Sequence, residues 1–183
     1  MFFAKTCCCL LLLLTLVACG GVMDDLNPSG SDKRTAAQPG TTGPAVDQNA
    51  PDFTLSDTLG NSVTLSSVFP TVQGVVLYFT MWCPICDTHM TNMQSSQIPS
   101  FPNVRFYAVD YVSATVADAR NAEISNGFDG SGFTVLADTH QTVLGLYQAT
   151  MGTTVVIDRT GVVRMNEDYK DGSRLQTVLS VLP

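Results

Sequence analysis

The chain has 183 residues, and its 16 acidic side chains outnumber the 9 basic ones, which gives a formal net charge of −7 at neutral pH. With 45% hydrophobic residues, the chain is long enough for one folded domain and an additional segment. The acidic balance argues against binding to nucleic acid and against electrostatic attachment to anionic lipid, because both of these partners are themselves negatively charged.

The first predicted element is a secretory signal peptide over residues 1–18. Lys5 precedes an apolar stretch that ends at Val17 and is too short to span a membrane comfortably. The sequence LVAC at residues 16–19 resembles the bacterial lipoprotein box, and this resemblance implies cleavage before Cys19 and attachment of lipid to its sulfur. An ordinary secretory signal and a transmembrane anchor are the alternatives.

The lipoprotein box also predicts where the mature protein resides. Several acyl chains on Cys19 would attach it stably to a bilayer, with the domain facing the periplasm or the exterior. In the family rule, Asp after the lipidated cysteine retains the protein in the inner membrane, whereas this chain has Gly20. We therefore expect a lipid-anchored protein of the cell envelope, located at the outer membrane if the cell has one.

A flexible tether is predicted next, so that residues 19–49 comprise the lipidated cysteine and this tether. Residues 20–49 are rich in Gly, Pro, Ser, Thr, Asn and Asp and contain few large apolar groups. Such a segment buries too little surface to offset its chain entropy. An ordered N-terminal arm is the alternative.

Residues 50–183 are predicted to form one α/β domain, in which strands alternate with helices early and pair as a hairpin late. The predicted strands are residues 53–55 and 63–65, which form an N-terminal β-hairpin, then 72–80, 104–112, 133–136, 153–158 and 162–165. The predicted helices are residues 84–97, 114–125, 141–148 and 175–182. This order indicates a mixed central sheet with helices on both faces.

Cys83 and Cys86 lie three positions apart between a buried strand and a helix, which is the arrangement of a redox dithiol. Outside the cytoplasm such a pair is either a structural disulfide or a redox centre. So short a loop gains little closure entropy from a bridge, which favours redox chemistry over an inert disulfide or a metal clip. We expect the helix N-terminus to lower the pKa of Cys83, the attacking thiol, while Cys86 is the resolving thiol. Pro84 suits the first helical turn because it has no N–H to leave unpaired.

Three motifs occur in a characteristic order: APDFTL (residues 50–55), YFTMWCPIC (78–86) and TTVVIDRTG (153–161). Together they resemble the thioredoxin-fold redoxins, most closely the extracytoplasmic TlpA/ResA-like thiol-disulfide oxidoreductases of the AhpC/TSA-redoxin superfamily, over residues 44–183. The resemblance implies a thioredoxin-like fold and the reduction or exchange of protein disulfides by the Cys-Pro-Ile-Cys dithiol. It implies no organic cofactor and no metal, and a membrane electron donor that recharges the dithiol. We expect the protein to be a monomer.

The resemblance also implies a substrate-binding surface around the dithiol, formed by Trp82, Pro84, Met151, Gly152 and Thr153. Trp82 would shield the dithiol and contribute to docking, and a partly buried aromatic without such a role is the alternative. In the family a cis-proline precedes the late Thr-Thr pair and holds the substrate backbone. Here Gly152 occupies that place. Because a non-proline cis bond costs about 2.5–4 kcal/mol, we expect a trans peptide.

The proton acceptor for the resolving thiol is not assigned by the motifs. Many thioredoxins have a buried Asp six residues before the first cysteine, and this chain has Leu77 there. Asp87 and His89 are candidates, directly or through water, and an exposed position without such a role is the alternative for each. The dipeptide between the cysteines carries no cationic group to stabilise a thiolate, which favours a reductant or exchanger over a strong oxidant.

A peroxidase is the first alternative function. Peroxiredoxins have Thr three residues before the attacking cysteine and Pro four residues before that Thr. Thr80 matches this pattern, whereas Val76 stands at the position of the Pro. The motif is therefore only half matched.

A Cu(I)-binding module is the second alternative, because soft sulfur ligands suit this ion and Sco-like copper proteins share the fold. Cys83, Cys86 and His89 would be its ligands, with Met151 from the late loop. Sco-like proteins, however, have one more residue between the cysteines and a His in the late loop. His140 lies earlier, at a predicted helix start, and is expected to be a cap or surface residue.

Overall fold

The structure is a computed structural model and describes residues 37–183. The predicted signal peptide, the predicted lipidation site at Cys19 and the first part of the predicted tether lie outside the described residues. No helix in the described part of the chain is long and apolar enough to cross a membrane.

A mixed sheet of seven strands forms the centre of the described domain. The strands are β1 (Thr54–Asp57), β2 (Ser62–Thr64), β3 (Gly74–Thr80), β4 (Val104–Asp110), β5 (Phe133–Ala137), β6 (Thr153–Asp158) and β7 (Val163–Asp168). They lie in the order β2-β1-β5-β4-β3-β6-β7. β4 pairs in parallel with β3 and β5, while all other neighbours are antiparallel.

Helices cover both faces of this sheet. They are α1 (Leu65–Val68), α2 (Pro84–Asn92), α3 (Val116–Ser125), α4 (Thr142–Leu146) and α5 (Ser173–Ser180). α1 continues into a 3-10 turn (Phe69–Thr71), and α2 continues into a π-helical segment (Met93–Gln97) and a last turn (Ile98–Ser100). Pro99, which has no N–H to donate, lies in that last turn.

The predicted hairpins, the order of strands and helices, and the mixed sheet are confirmed, with boundaries that differ by a few residues. The predicted helix 84–97 extends to Ser100, because the backbone stays helical through the π-helical segment. α1 and its 3-10 turn were not predicted, since a segment this short has no helical periodicity to detect.

The sheet separates two hydrophobic cores, and β3 contributes to both because its side chains alternate between the faces. Val76 and Tyr78 pack into the core that also contains Cys86 and side chains of α5. Leu77 and Phe79 pack into the opposite core, against α4. All residues of β3 are buried, so the dithiol follows a rigid central strand.

The segment before β1 is hydrogen-bonded to the sheet, although residues up to 49 were predicted to belong to the tether. The N–H of Asp47 donates to the carbonyl of Val163 at 2.9 Å, and the N–H of Val163 donates back to Gln48 at 2.9 Å. Arg164 adds an ion pair with Asp47 at 2.9 Å. Backbone hydrogen bonds and one charge pair thus order residues that carry few apolar groups. The tether itself stays a prediction for the residues before 37.

Candidate active site

The turn between β3 and α2 has an unusual backbone conformation at Trp82. Its φ of 57° lies in the left-handed region, which large side chains rarely adopt. The N–H of Trp82 donates to Thr80 Oγ1 at 3.1 Å, and its indole Nε1–H donates to Asp110 Oδ2 at 2.8 Å. These two hydrogen bonds hold the turn that leads Cys83 to the N-terminus of α2.

Cys83 is the N-cap residue of α2. Its backbone is extended (φ −93°, ψ 162°), and its Sγ accepts a hydrogen bond from the N–H of Cys86 at 3.2 Å. Pro84 follows in the first turn, as predicted. Both cysteines are free thiols, Cys83 half-buried and Cys86 without exposed surface. Of these two thiols, only Cys83 is accessible to a protein disulfide.

The two thiols titrate as a coupled pair. Burial raises the pKa of Cys83, and the Cys86 thiol raises it further, although backbone hydrogen bonds at the helix start act in the other direction. Burial also opposes ionisation of Cys86, but hydrogen bonds with the Cys83 thiol and with the backbone of Met81 and Cys83 lower its pKa overall. Contrary to the expectation, the pKa of Cys83 is therefore raised and not lowered. Because the two thiols interact, the first proton of the pair leaves below and the second above the ordinary thiol pKa.

Tyr78 and His89 form a hydrogen-bonded pair next to the buried thiol. The Tyr78 side chain has no exposed surface, and its hydroxyl lies 3.0 Å from Nδ1 of His89. Burial raises the pKa of Tyr78, and charge and hydrogen bonding at Cys86 raise it further. Burial lowers the pKa of the half-buried His89. Tyr78 is therefore a neutral hydroxyl and His89 a neutral imidazole at physiological pH.

The loop before β6 lies beside His89. Gly152 has a φ of 85°, and its N–H donates to the carbonyl of Phe79 at 2.9 Å, at the end of β3. A Cβ added at Gly152 would lie 3.8 Å from the His89 ring. Met151 is half-buried against the core that contains the thiols. The peptide before Gly152 is trans as expected, since the described residues contain no cis peptide bond.

The residues predicted to bind substrate lie on two segments that meet at this site. Trp82 is half-buried and Pro84 is exposed at the helix start. Met151 and Gly152 belong to the loop that contacts the end of β3. Thr153 is buried, and its hydroxyl accepts from the N–H of Thr150 and donates to Asp168. Their contacts with a substrate stay a prediction.

The remaining candidates from the sequence do not assemble into a metal site. Within residues 37–183, no group of three or more His, Cys, Asp and Glu side chains is placed to hold a metal ion. Nδ1 of His89 is paired with Tyr78, and His140 is exposed and bonded to Thr139. Asp87 Oδ1 is buried and has no hydrogen-bond partner among the described residues.

Three residues of this site were not found from the sequence. Tyr78 is part of a continuous apolar run, so nothing distinguishes it from a core residue. Asp110 could have been noticed, because it is an acidic residue inside a predicted buried strand. Tyr169, whose ring centroid lies 4.6 Å from that of His89, follows the last strand and carries no sequence signal.

Comparison with known proteins gives a family and a fold. The sequence profile of the AhpC/TSA family matches residues 46–166. No curated protein matches the chain. Among solved structures, a proposed thiol:disulfide interchange protein DsbE from Chlorobium tepidum has 27% identity and a TM-score of 0.58, and the match covers 73% of this chain and 94% of that one.

Two further structures are similar at lower identity. The thioredoxin domain of a thiol-disulfide oxidoreductase from Bacteroides vulgatus has 21% identity and a TM-score of 0.61, with 76% of this chain and 99% of that chain covered. A secreted disulfide oxidoreductase of Mycobacterium tuberculosis has 20% identity and a TM-score of 0.54, with 71% and 96% covered. These likenesses confirm the predicted thioredoxin-like fold.

Proposed function

Because the chain belongs to the AhpC/TSA family, we propose that it is a thioredoxin-like thiol-disulfide oxidoreductase that reduces or exchanges disulfides of other proteins. One observation carries this proposal: an accessible Cys83 thiol at a helix N-terminus accepts a hydrogen bond from the N–H of a buried, reduced Cys86. Disulfide exchange requires such a pair, one sulfur to attack the substrate and a second to resolve the product.

The reaction has two steps. The Cys83 thiolate attacks one sulfur of the substrate disulfide, a mixed disulfide forms, and the other substrate sulfur leaves as a thiolate that takes a proton from solvent. The N–H groups of the first turn of α2 favour negative charge on Cys83. Cys86 then attacks Cys83 Sγ, so that the second substrate sulfur leaves and the enzyme is oxidised by two electrons.

The substrate surface surrounds the exposed thiol. Trp82, Pro84, Met151 and Gly152 would contact the substrate backbone near its disulfide, and Thr153 would act through its backbone because its side chain is buried. Met81 and Ile85 are 44% and 55% exposed beside Cys83. This apolar rim suits partly unfolded protein substrates, whose apolar side chains are accessible.

We place this activity in the cell envelope. The lipoprotein box at residues 16–19 supports lipidation of Cys19, and the net negative charge of the chain disfavours electrostatic attachment to an anionic membrane. The oxidised dithiol needs a donor of two electrons, for which a membrane electron carrier is the partner that a lipid-anchored enzyme would reach. Gly20 after the predicted lipidated cysteine favours the outer membrane, if the cell has one.

A peroxidase is less well supported by the site. Thr80 is buried, and its hydroxyl accepts from the N–H of Trp82. The hydroxyl of the half-matched motif is therefore used in the turn before Cys83, and Val76 stands at the position of the Pro.

Insulin reduction by the purified protein tests the proposal, with hydroperoxide consumption measured in parallel. We expect turnover of insulin disulfides with dithiothreitol as donor, no turnover for Cys83→Ser, and a trapped mixed disulfide for Cys86→Ser. Unchanged insulin reduction by Cys83→Ser would contradict the proposal. Hydroperoxide consumption well above that of free thiol, without insulin reduction, would favour the peroxidase.

A further inference from the structure

Resolution of the mixed disulfide requires that Cys86 lose a proton inside the protein. Cys86 has no exposed surface, so solvent cannot take this proton directly. Leu77 stands where many thioredoxins have a buried acid, and its side chain packs in the opposite core. A different group must therefore accept the proton if the proposed function is correct.

Tyr78 follows Leu77 in β3, and its side chain lies on the opposite face of the sheet, which also contacts Cys86. The side chains of Tyr78 and Cys86 belong to the same buried core. Cys86 and His89 are three residues apart on α2 and so lie on one side of this helix, and the Tyr78 hydroxyl lies against the His89 ring. In agreement with this placement, burial and then Cys86 raise the pKa of Tyr78. Because its pKa is raised, Tyr78 does not stay ionised. Its hydroxyl can, however, accept one proton while it donates its own proton to another group.

His89 lies at the far side of this hydroxyl. Its Nδ1 is 3.0 Å from the Tyr78 oxygen, and the ring is half-buried, so it has partial access to solvent. The ring packs against Tyr169, with centroids 4.6 Å apart, and lies beside Gly152. A neutral imidazole with Nδ1 unprotonated is a suitable acceptor for the tyrosine proton.

The geometry points to Tyr78 and His89 as a proton relay that takes the proton of Cys86 when this thiol resolves the mixed disulfide. The thiol proton moves to the Tyr78 oxygen as the tyrosine proton moves to Nδ1 of His89. The Cys86 sulfur forms a bond to Cys83 Sγ, and the bond from Cys83 to the substrate sulfur breaks. The substrate leaves as a thiolate with the electron pair, is protonated by solvent, and His89 returns its proton to solvent.

Few other ionisable groups face His89. Tyr78 faces it from β3, Tyr169 from the segment after β7, and Cys86 lies one turn earlier on α2. The Tyr169 hydroxyl donates to Asn92 Oδ1 at 2.8 Å and is therefore not part of the relay. Burial is the cause of the lowered pKa of His89, with no carboxylate or cation contributing to it.

The two chemical steps can be separated with dithiobis-nitrobenzoate at stoichiometric amounts. Attack by Cys83 releases one coloured thiolate, and resolution by Cys86 releases the second, so stopped-flow absorbance gives both rates. The variants are Tyr78→Phe and His89→Gln, with Asp87→Asn as the control for the other candidate acceptor. Thermal unfolding of each variant checks that the fold is intact.

We expect the first release to stay within about twofold of the unchanged protein, and the second to slow by about tenfold or more in both relay variants at neutral pH. The defect should shrink towards about pH 9, where hydroxide removes the Cys86 proton during local opening of the site and the relay is not needed. A purely structural effect would slow both releases and would not depend on pH in this way. Should Tyr78→Phe not fold, His89→Gln alone tests the relay.

Four results would overturn the relay. Normal second-phase rates in both relay variants, or a slow second phase in Asp87→Asn alone, would show that another group accepts the proton. Equal slowing of both phases at every pH would show a structural role. If the unchanged protein itself released no second thiolate, Cys86 would not resolve, and the proposed function would fail together with the relay.

Discussion

The indole N–H of Trp82 donates a 2.8 Å hydrogen bond to the carboxylate of Asp110, which has no exposed surface. The same carboxylate accepts from the N–H groups of Val112 and Ser113 and from the Ser113 hydroxyl. One buried acid at the end of β4 thus connects the turn before the dithiol to the loop after β4. The backbone of Trp82 is left-handed, and this connection holds the turn that places Cys83 at the N-cap of α2.

Asp110→Ala is expected to lower the free energy of unfolding by at least about 2 kcal/mol, because four hydrogen bonds to a buried carboxylate are lost and each is worth about 0.5–1.5 kcal/mol or more. Trp82→Phe removes only one of these hydrogen bonds and should cost less. Urea unfolding followed by circular dichroism measures both changes. Asp129→Ala, which removes an exposed ion pair with Arg120, is the control and should cost about 1 kcal/mol or less. Equal losses for the two aspartate variants would contradict the anchoring role.

The coupled thiols should ionise in two separate steps. Thiolate absorbance measured against pH is expected to rise once below and once above the ordinary thiol pKa. Cys86→Ala should leave one step, below the second step of the unchanged protein, because the thiol and charge that raise the pKa of Cys83 are gone. A single step that releases both protons at the ordinary value would refute the coupling.

Ionisation of the thiols also changes the free energy of unfolding. A thiol whose pKa is lowered by folding binds fewer protons in the folded than in the unfolded state between its two pKa values. Its contribution to stability is therefore present above the ordinary thiol pKa and is lost as the pH falls through the lowered value. Urea unfolding of the reduced protein over this range should become less favourable as pH rises, and Cys86→Ala should weaken this trend.

Gly152→Ala is expected to destabilise the domain by about 1–2 kcal/mol, since a side chain disfavours the positive φ at this position. There is room for the added methyl, which would make ordinary contact with His89, so the cost should come from the backbone. Gly145→Ala is a matched control inside α4, where a Cβ meets nothing within 4 Å. It should be neutral or stabilising by up to about 1 kcal/mol in urea unfolding. A Gly152→Ala variant as stable as Gly145→Ala would exclude backbone strain as the determinant.

The features that can be predicted from the sequence are those whose residues are close neighbours along the chain. Cys83, Pro84 and Cys86 are close neighbours, and an apolar run before them marks the central strand. The pairs that complete the site join distant positions: Tyr78 meets His89 across 11 positions, and Trp82 meets Asp110 across 28. Such pairs depend on which strands become neighbours, and periodicity does not encode that.

The segment just before residue 50 is hard to predict for a related physical reason. Composition measures how much apolar surface a segment can bury, and residues 40–49 have little. These residues are instead ordered by backbone hydrogen bonds of Asp47 and Gln48 with Val163 and by the ion pair of Arg164 with Asp47. A segment of this kind can be recognised only when its partner strand is known.

Truncation distinguishes this docked segment from a tether. A chain that begins at residue 40 should unfold at the same urea concentration as one that begins at residue 37. A chain that begins at residue 50 should lose at least about 1 kcal/mol, the net value of a single backbone hydrogen bond, because several are removed and Val163 becomes exposed at the sheet edge.

Arg164→Ala and Asp47→Ala, each in the chain that begins at residue 40, separate the contribution of the Arg164–Asp47 ion pair from that of the Arg164–Asp158 ion pair. Arg164 contacts both the exposed Asp47 and the buried Asp158, at 2.9 and 2.8 Å. Its loss should destabilise even the chain that begins at residue 50, because the Asp158 carboxylate has no exposed surface and loses its cation there too. Asp47→Ala should lower the free energy of unfolding of the chain that begins at residue 40, the one that contains Asp47. Equal stability of the chains that begin at residues 40 and 50 would mean that residues 40–49 contribute nothing to the fold.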